Sequence, residues 1–311
     1  MRNYLFERSI HIKIVREFLV LLLASTFFIV IFPAVWADDY GVDETTKQQA
    51  GNAWIKIIYD PGVSLATRKN AQKSADIITA LLARYGMPLV QPVTAIITAD
   101  TEAFLNAIIS TGNMSRATAE KWFKGNLGAS FGKSDTIVMK LYPIVIKGQP
   151  RQENNISETL TILSHEIFHQ AVRQYLKNVG PHTWTWLSEG TAEYFRSMAL
   201  EESGVVNANV MLRYAEQNIR KAASIPDVYR LLDSTEYRIL ARERLPVYYM
   251  SQVMISRLIQ NKDFGKVAAF YKFINAGTPP DKAFSDTFGI PLSVFLDEMN
   301  IYFKTQLRTG V

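Results

Sequence analysis

The run His165-Glu166-Ile167-Phe168-His169 constrains this chain more than any other feature of it. On a helix, two imidazoles four residues apart stack on one face and can grip one ion. Glu166, one residue round from His165, then points beside the ion, where a carboxylate can take a proton from a water the metal activates. Helix signals surround the run. Asn155 with Glu158 three residues on is a capping-box pattern, which predicts a helix to about Lys177, with Gly180-Pro181 beyond it. After residue 37 the chain has only three histidines, His165, His169 and His182, so two of them in this register stand well above chance.

A hydrolytic metal site needs a third protein ligand and an open fourth position. Glu189 supplies a candidate nineteen residues or so downstream, in Trp186-Leu187-Ser188-Glu189-Gly190-Thr191-Ala192-Glu193-Tyr194. A second helix is predicted from near Trp186 past Met198, with Glu193 one turn after Glu189 on the same face. Metal-bound histidines donate their other ring N–H to a carboxylate or carbonyl, and Glu193 is placed to receive one from His165. Gly180-Pro181 lets the chain reverse, so the two helices can run antiparallel. His182, just before the second helix, reads as a loop residue or as part of a cleft wall.

HEIFHQ followed by WLSEGTAEY resembles the gluzincin (peptidase MA-like) zinc metallopeptidases, in particular the catalytic domain of the aminopeptidase N and thermolysin-like group. The likeness is tight over residues 165–194 and loose on either side. It implies one zinc ion per chain held by His165, His169 and Glu189, with Glu166 as general base, Glu193 behind the ligands, and hydrolysis of peptide bonds by zinc-activated water. A tetrahedral intermediate also needs a donor for its oxyanion. In the resembled group a Tyr opening a later helix supplies it, which implies Tyr248, in Pro246-Val247-Tyr248-Tyr249-Met250-Ser251-Gln252; the sequence leaves open whether Tyr248 or Tyr249 faces the metal. The exopeptidases of the group carry a Glu on a sheet-edge segment. The nearest stretch here, Gly128-Ala129-Ser130-Phe131-Gly132, has none and reads equally as a Gly-rich turn, so endopeptidase action is expected over aminopeptidase action. A chain of 311 residues also has little room for the extra domains that enclose a cavity. The alternative is a catalytically inactive metal- or partner-binding protein on the same scaffold.

The rest of the chain sets the frame. Residues 1–17 carry scattered Arg and Lys, residues 18–32 are uncharged and mostly apolar, and Val35-Trp36-Ala37 precedes Asp38-Asp39: a signal peptide cleaved after Ala37, or an uncleaved anchor over 18–36. Either reading puts the bulk of the chain outside the cytoplasm, periplasmic or secreted. With no cysteine, a disulfide framework, a thiolate metal site, a Cys nucleophile and a lipid-anchored N-terminus are excluded. Residues 1–37 hold four basic and two acidic side chains, leaving +3 of the formal +5, too little to indicate a nucleic-acid partner. Peptide or protein substrates are the expected partners, and a membrane only if the N-terminal segment stays.

Between leader and motif, residues 38–52 read as a polar arm. Strands are predicted over 53–59, 93–98 and 136–142, and helices from a Ser64 cap to Tyr85 with Gly86 as stop, over 101–110 and over 115–124. Residues 207–309 read as helices punctuated by Pro226, Pro246, Pro279-Pro280 and Pro291, with core aromatics at helical spacing. The expected fold is α+β with segregated parts rather than a βαβ array: a strand-containing part (38–154) with a small mixed sheet, the zinc-binding helix pair (155–200) and an all-helical part (201–311).

Overall fold

The computed structural model describes residues 50–51, 54–123, 127–132, 134–141, 156–176, 184–259 and 263–307. The predicted leader, most of the polar arm, Asn155, Gly180-Pro181 and His182 lie outside them. Among the described residues no helix is long and apolar enough to cross a membrane.

β-Branched residues dominate the three longer strands, over 55–59, 93–98 and 136–140. β1 (Ala50–Gly51) is a two-residue piece; β2 (Ile55–Tyr59), β3 (Val93–Thr98), β4 (Gly128–Phe131) and β5 (Thr136–Lys140) complete a mixed sheet in the order β1-β2-β3-β5-β4. The period of two sends Val93, Ala95, Ile97, Ile137 and Met139 to one face and Ile96 and Val138 to the other. The second face is covered by α2 (Thr101–Gly112) and α3 (Arg116–Phe123) through Phe104, Leu105, Ile108 and Ala119.

The first face carries the main core. α1 (Leu65–Arg84) starts where Ser64 Oγ accepts the Thr67 N–H at 3.2 Å and stops just before Gly86, whose φ of 75° is the left-handed conformation that glycine adopts without strain. It buries Ala71, Ala75, Ile78, Leu81 and Leu82 against the sheet and against α4 (Ile156–Tyr175).

The fold is mixed α+β as expected, but one part of the expectation is corrected. β2 and β3 are parallel, in register from Ile55↔Val93 to Tyr59↔Ile97, with α1 as the crossover between them: a βαβ unit inside the strand-containing part. β3 and β5 are parallel too, and only β4–β5 and β1–β2 are antiparallel. Parallel pairing requires a long crossover, and α1 supplies it.

The remaining helices close over the other side of α4. α5 (Thr185–Glu202) packs on α4, and α8 (Val247–Leu258) packs on α5; α6 (Ala208–Lys221) and α7 (Ser234–Arg242) flank them, with α9 (Gly265–Asn275), α10 (Pro280–Phe288) and α11 (Leu292–Ile301) outermost. The prolines act as punctuation: Pro246, Pro279 and Pro291 each stand immediately before a helix. One hydrophobic cluster runs from Ile55 through α4 and α5 to Leu307.

Candidate metal centre

An amphipathic surface helix exposes one face. α4 does not: from Ser157 to Gln174 every residue but Arg173 is buried. Two of its hydroxyls are satisfied locally, Thr161 donating to Ser157 O at 2.6 Å and Ser164 to Leu160 O at 2.5 Å. The imidazoles of His165 and His169 and the carboxylate of Glu166 are too long for that device and must find partners elsewhere.

The two imidazoles find them on α5; the Glu166 carboxylate does not. The His165 and His169 Nε2 atoms stand 3.1 Å apart, and Glu189 Oε2 lies 3.4 Å from the first and 3.6 Å from the second. All three residues are buried, and together they form the one His/Cys/Asp/Glu group among the described residues able to hold a metal ion. Tetrahedral coordination at about 2.0–2.1 Å per ligand puts the ligand atoms about 3.3 Å from one another, which is the spacing seen here. Glu189 Oε2 has no hydrogen-bond partner, as expected of an atom kept for an ion. Two nitrogens and one carboxylate oxygen suit zinc but do not by themselves name the metal.

The outer ring nitrogens face side chains of α5. Glu193 Oε1 lies 3.1 Å from His165 Nδ1, and Ser188 Oγ lies 3.3 Å from His169 Nδ1, so both rings turn Nε2 inward. Behind Glu193 stands Arg196, only 2% exposed, whose Nη2 pairs with Glu193 Oε2. Burial alone would raise the Glu193 pKa; Arg196 and His165 outweigh it and hold the carboxyl low. Burial likewise opposes charge on His165, yet Glu189 and Glu193 push its pKa up to about 10. Glu189 is held down at about 2 against its burial by the two histidines, whereas burial dominates at His169 and lowers it.

Glu166 is treated differently. Both carboxylate oxygens are buried without a hydrogen-bond partner, and burial drives the pKa up to about 7. The carboxylate packs on β4: a methyl added to Gly128 would stand 2.8 Å from Glu166 Oε1. The stretch read from sequence as a Gly-rich turn is therefore a sheet-edge strand lying over Glu166, and its glycine is what lets the carboxylate approach. No described strand pairs with the outer side of β4.

The two tyrosines have different surroundings. Tyr248 lies in the field of Glu189, Glu193 and Glu166, and burial first, then those charges, push its hydroxyl well above the ordinary tyrosine value. Tyr249 turns away and packs edge-on against Tyr214, 5.9 Å between ring centres. Tyr248 is held from behind by Tyr237, ring centres 5.5 Å apart and nearly perpendicular. Gly190 makes this possible: a methyl there would stand 2.4 Å from the backbone oxygen of Ser251, so α5 and α8 touch backbone to backbone.

The structure thus gathers His165, Glu166, His169, Glu189, Glu193 and Tyr248 in one place. Sequence reasoning missed Arg196, Gly128, Gly190 and Arg238, the last a half-buried cation of α7 acting on Glu189 and Tyr248. A signal existed for Arg196 alone, three residues after Glu193 on a helix. No family model matches this sequence, and no curated protein is detectably similar to it.

Proposed function

We propose that this protein is an exported zinc-dependent metallopeptidase of gluzincin type, with endopeptidase action. The observation that supports it most is the pairing of a buried His-His-Glu group with a buried carboxylate, Glu166, that has no partner of its own. A structural role would have satisfied that carboxylate. A general base needs it unpaired, and burial, which raises its pKa in the metal-free protein, favours its taking up a proton.

His165, His169 and Glu189 would hold the ion. When bound, it supplies Lewis acidity to a water and to the carbonyl under attack. The chain's own groups do the rest. Glu166 takes the proton of the attacking water and returns it to the departing amine nitrogen. The Tyr248 hydroxyl donates to the oxygen on which charge develops. The outer edge of β4, unpaired among the described strands, offers backbone N–H and C=O groups to an extended peptide laid along it. Glu193 and Ser188 keep the imidazoles in the ligating orientation.

The test is elemental analysis of the purified protein beside His165→Ala, followed by a peptide-library digest with wild type and Glu166→Gln. About one zinc per chain is expected, lost in His165→Ala, with cleavage lost in Glu166→Gln while zinc stays. Zinc without cleavage in the wild type would leave a metal-binding protein; no metal uptake would remove both readings.

A further inference from the structure

Arg173 follows His169 by one turn on α4 and is the one residue in the stretch from Ser157 to Gln174 that is not fully buried. Its position repeats the spacing of the two histidines, so it continues their face of the helix toward the C-terminal end. Its stem lies flat along the end of the edge strand, since a methyl on Gly132 would stand 3.1 Å from Arg173 Cδ and 3.4 Å from its Nε and Nη1. Among the described residues the guanidinium makes a single hydrogen bond, Nη1 to Ser130 Oγ at 3.0 Å, and no ion pair.

That is an unusual state for a largely desolvated cation. A guanidinium has five N–H donors in a planar fork and is normally paired when buried. The other buried arginine of this region, Arg196, is paired in that way with Glu193. The carboxylates nearest Arg173, those of Glu166, Asp135 and Glu189, act on it only through space. Nor is it needed to pin the edge strand. Gln170 Nε2 already donates to Ser130 Oγ at 2.8 Å, to Phe131 O at 3.3 Å and to Thr136 O at 3.1 Å.

We propose that Arg173 is a specificity-determining residue that takes a carboxylate of the substrate, from an Asp or Glu side chain or from a free C-terminus. The proposal rests on the peptidase reading. Four residues of helix rise about 6 Å, and an extended peptide advances about 3.3 Å per residue. The carboxylate therefore stands about two residues from the bond that is cut. The fork matches a carboxylate with two parallel N–H bonds, which a point charge such as lysine cannot reproduce.

The experiment uses metal-loaded protein and a set of peptides identical except for Glu, Gln or Lys at one position, each with a free or an amidated C-terminus. Cleavage is measured with wild type, Arg173→Met, Arg173→Lys and Arg173→Glu, and binding of the same peptides by anisotropy to Glu166→Gln with and without Arg173→Met. Charge-assisted hydrogen bonds imply a wild-type preference for Glu over Gln of about ten- to a hundredfold at one position. An effect confined to free C-termini would assign the terminal carboxylate as the source. Arg173→Met should equalise Glu and Gln, Arg173→Lys should keep part of the preference, and Arg173→Glu should turn it toward Lys. Metal content equal to wild type in the variants excludes a collapsed site. Cleavage with no carboxylate preference, or a preference that survives Arg173→Met, overturns the proposal and leaves the peptidase reading intact. Arg173-dependent binding without cleavage keeps the carboxylate site and removes hydrolysis. Neither binding preference nor cleavage removes both.

Discussion

Glu193 and Glu166 lie in the same buried shell around His165, one on α5 and one on α4, and the protein surrounds them in opposite ways. Glu193 has a guanidinium on one oxygen and an imidazole nitrogen 3.1 Å from the other, and is held ionised. Glu166 has nothing on either oxygen and a pKa near 7. The difference teaches what each side is for. The α5 side fixes geometry, and a fixed carboxylate is a satisfied one. The α4 side leaves a carboxylate whose protonated and ionised forms are close in free energy near neutral pH.

The contrast breaks most visibly if the two carboxylates are altered one at a time. Glu166→Gln is expected to lower turnover about 10³- to 10⁴-fold, the upper range for a general base, while metal content stays at the wild-type level. Turnover within tenfold of wild type would refute the base assignment. Glu193→Ala should do the reverse. It strands the Arg196 charge in the interior, which costs about 3–5 kcal/mol of stability, and weakens metal binding about 10- to 100-fold. Denaturant midpoints and competition with a chelating dye read the two effects separately.

A pH series comes next in size, in metal-free protein. Below the ordinary Glu value of 4.5, Glu166 is protonated both folded and unfolded and contributes nothing. As pH rises toward 7 the unfolded chain loses the proton and the folded chain keeps it, so stability falls, by about 3 kcal/mol in all. Above about 7 the loss is complete and flat. Glu193, its pKa held low, runs the other way: its stabilisation is present above the ordinary carboxylate range and is lost on acidification. Urea midpoints of wild type minus Glu166→Gln between pH 4.5 and 7.5 isolate the first slope, and a difference that does not change with pH would contradict it.

The smallest effect concerns the tyrosines. Tyr248→Phe is expected to cost about 10²-fold in kcat, as for loss of one oxyanion donor. Tyr249→Phe, whose ring packs on Tyr214, should stay within a few-fold of wild type. Equal losses would place the donor elsewhere, with Arg238 the next group in range.

These expectations also show how far the sequence could be read. His165, Glu166, His169, Glu189 and Glu193 were legible because helical spacing alone puts them on facing sides of two adjacent helices. The starts of α1, α8, α10 and α11 were legible through Ser64 and the prolines, which act on their nearest neighbours. β4 was not, because four residues that include a glycine carry no alternation strong enough to separate strand from turn. The parallel β2–β3 pairing was not, because strand order depends on contacts 38 residues apart, Ile55 with Val93. Gly128 and Gly190 were invisible for the same reason: each matters through an atom of a distant segment, Glu166 for one and Ser251 for the other.

The three candidate ligands lie between positions 165 and 189, on helices that are consecutive in the chain. Gly128 and Tyr248 join them from much farther along the sequence in either direction. Closing a short loop is entropically cheaper than closing a long one, and contacts between near neighbours tend to form early. An ion could therefore be captured by a half-made molecule, a helical hairpin still waiting for its sheet edge and its tyrosine. Metal would then set the order of assembly as well as the chemistry, and stopped-flow refolding should be faster with the ion present from the start than with the ion added afterwards.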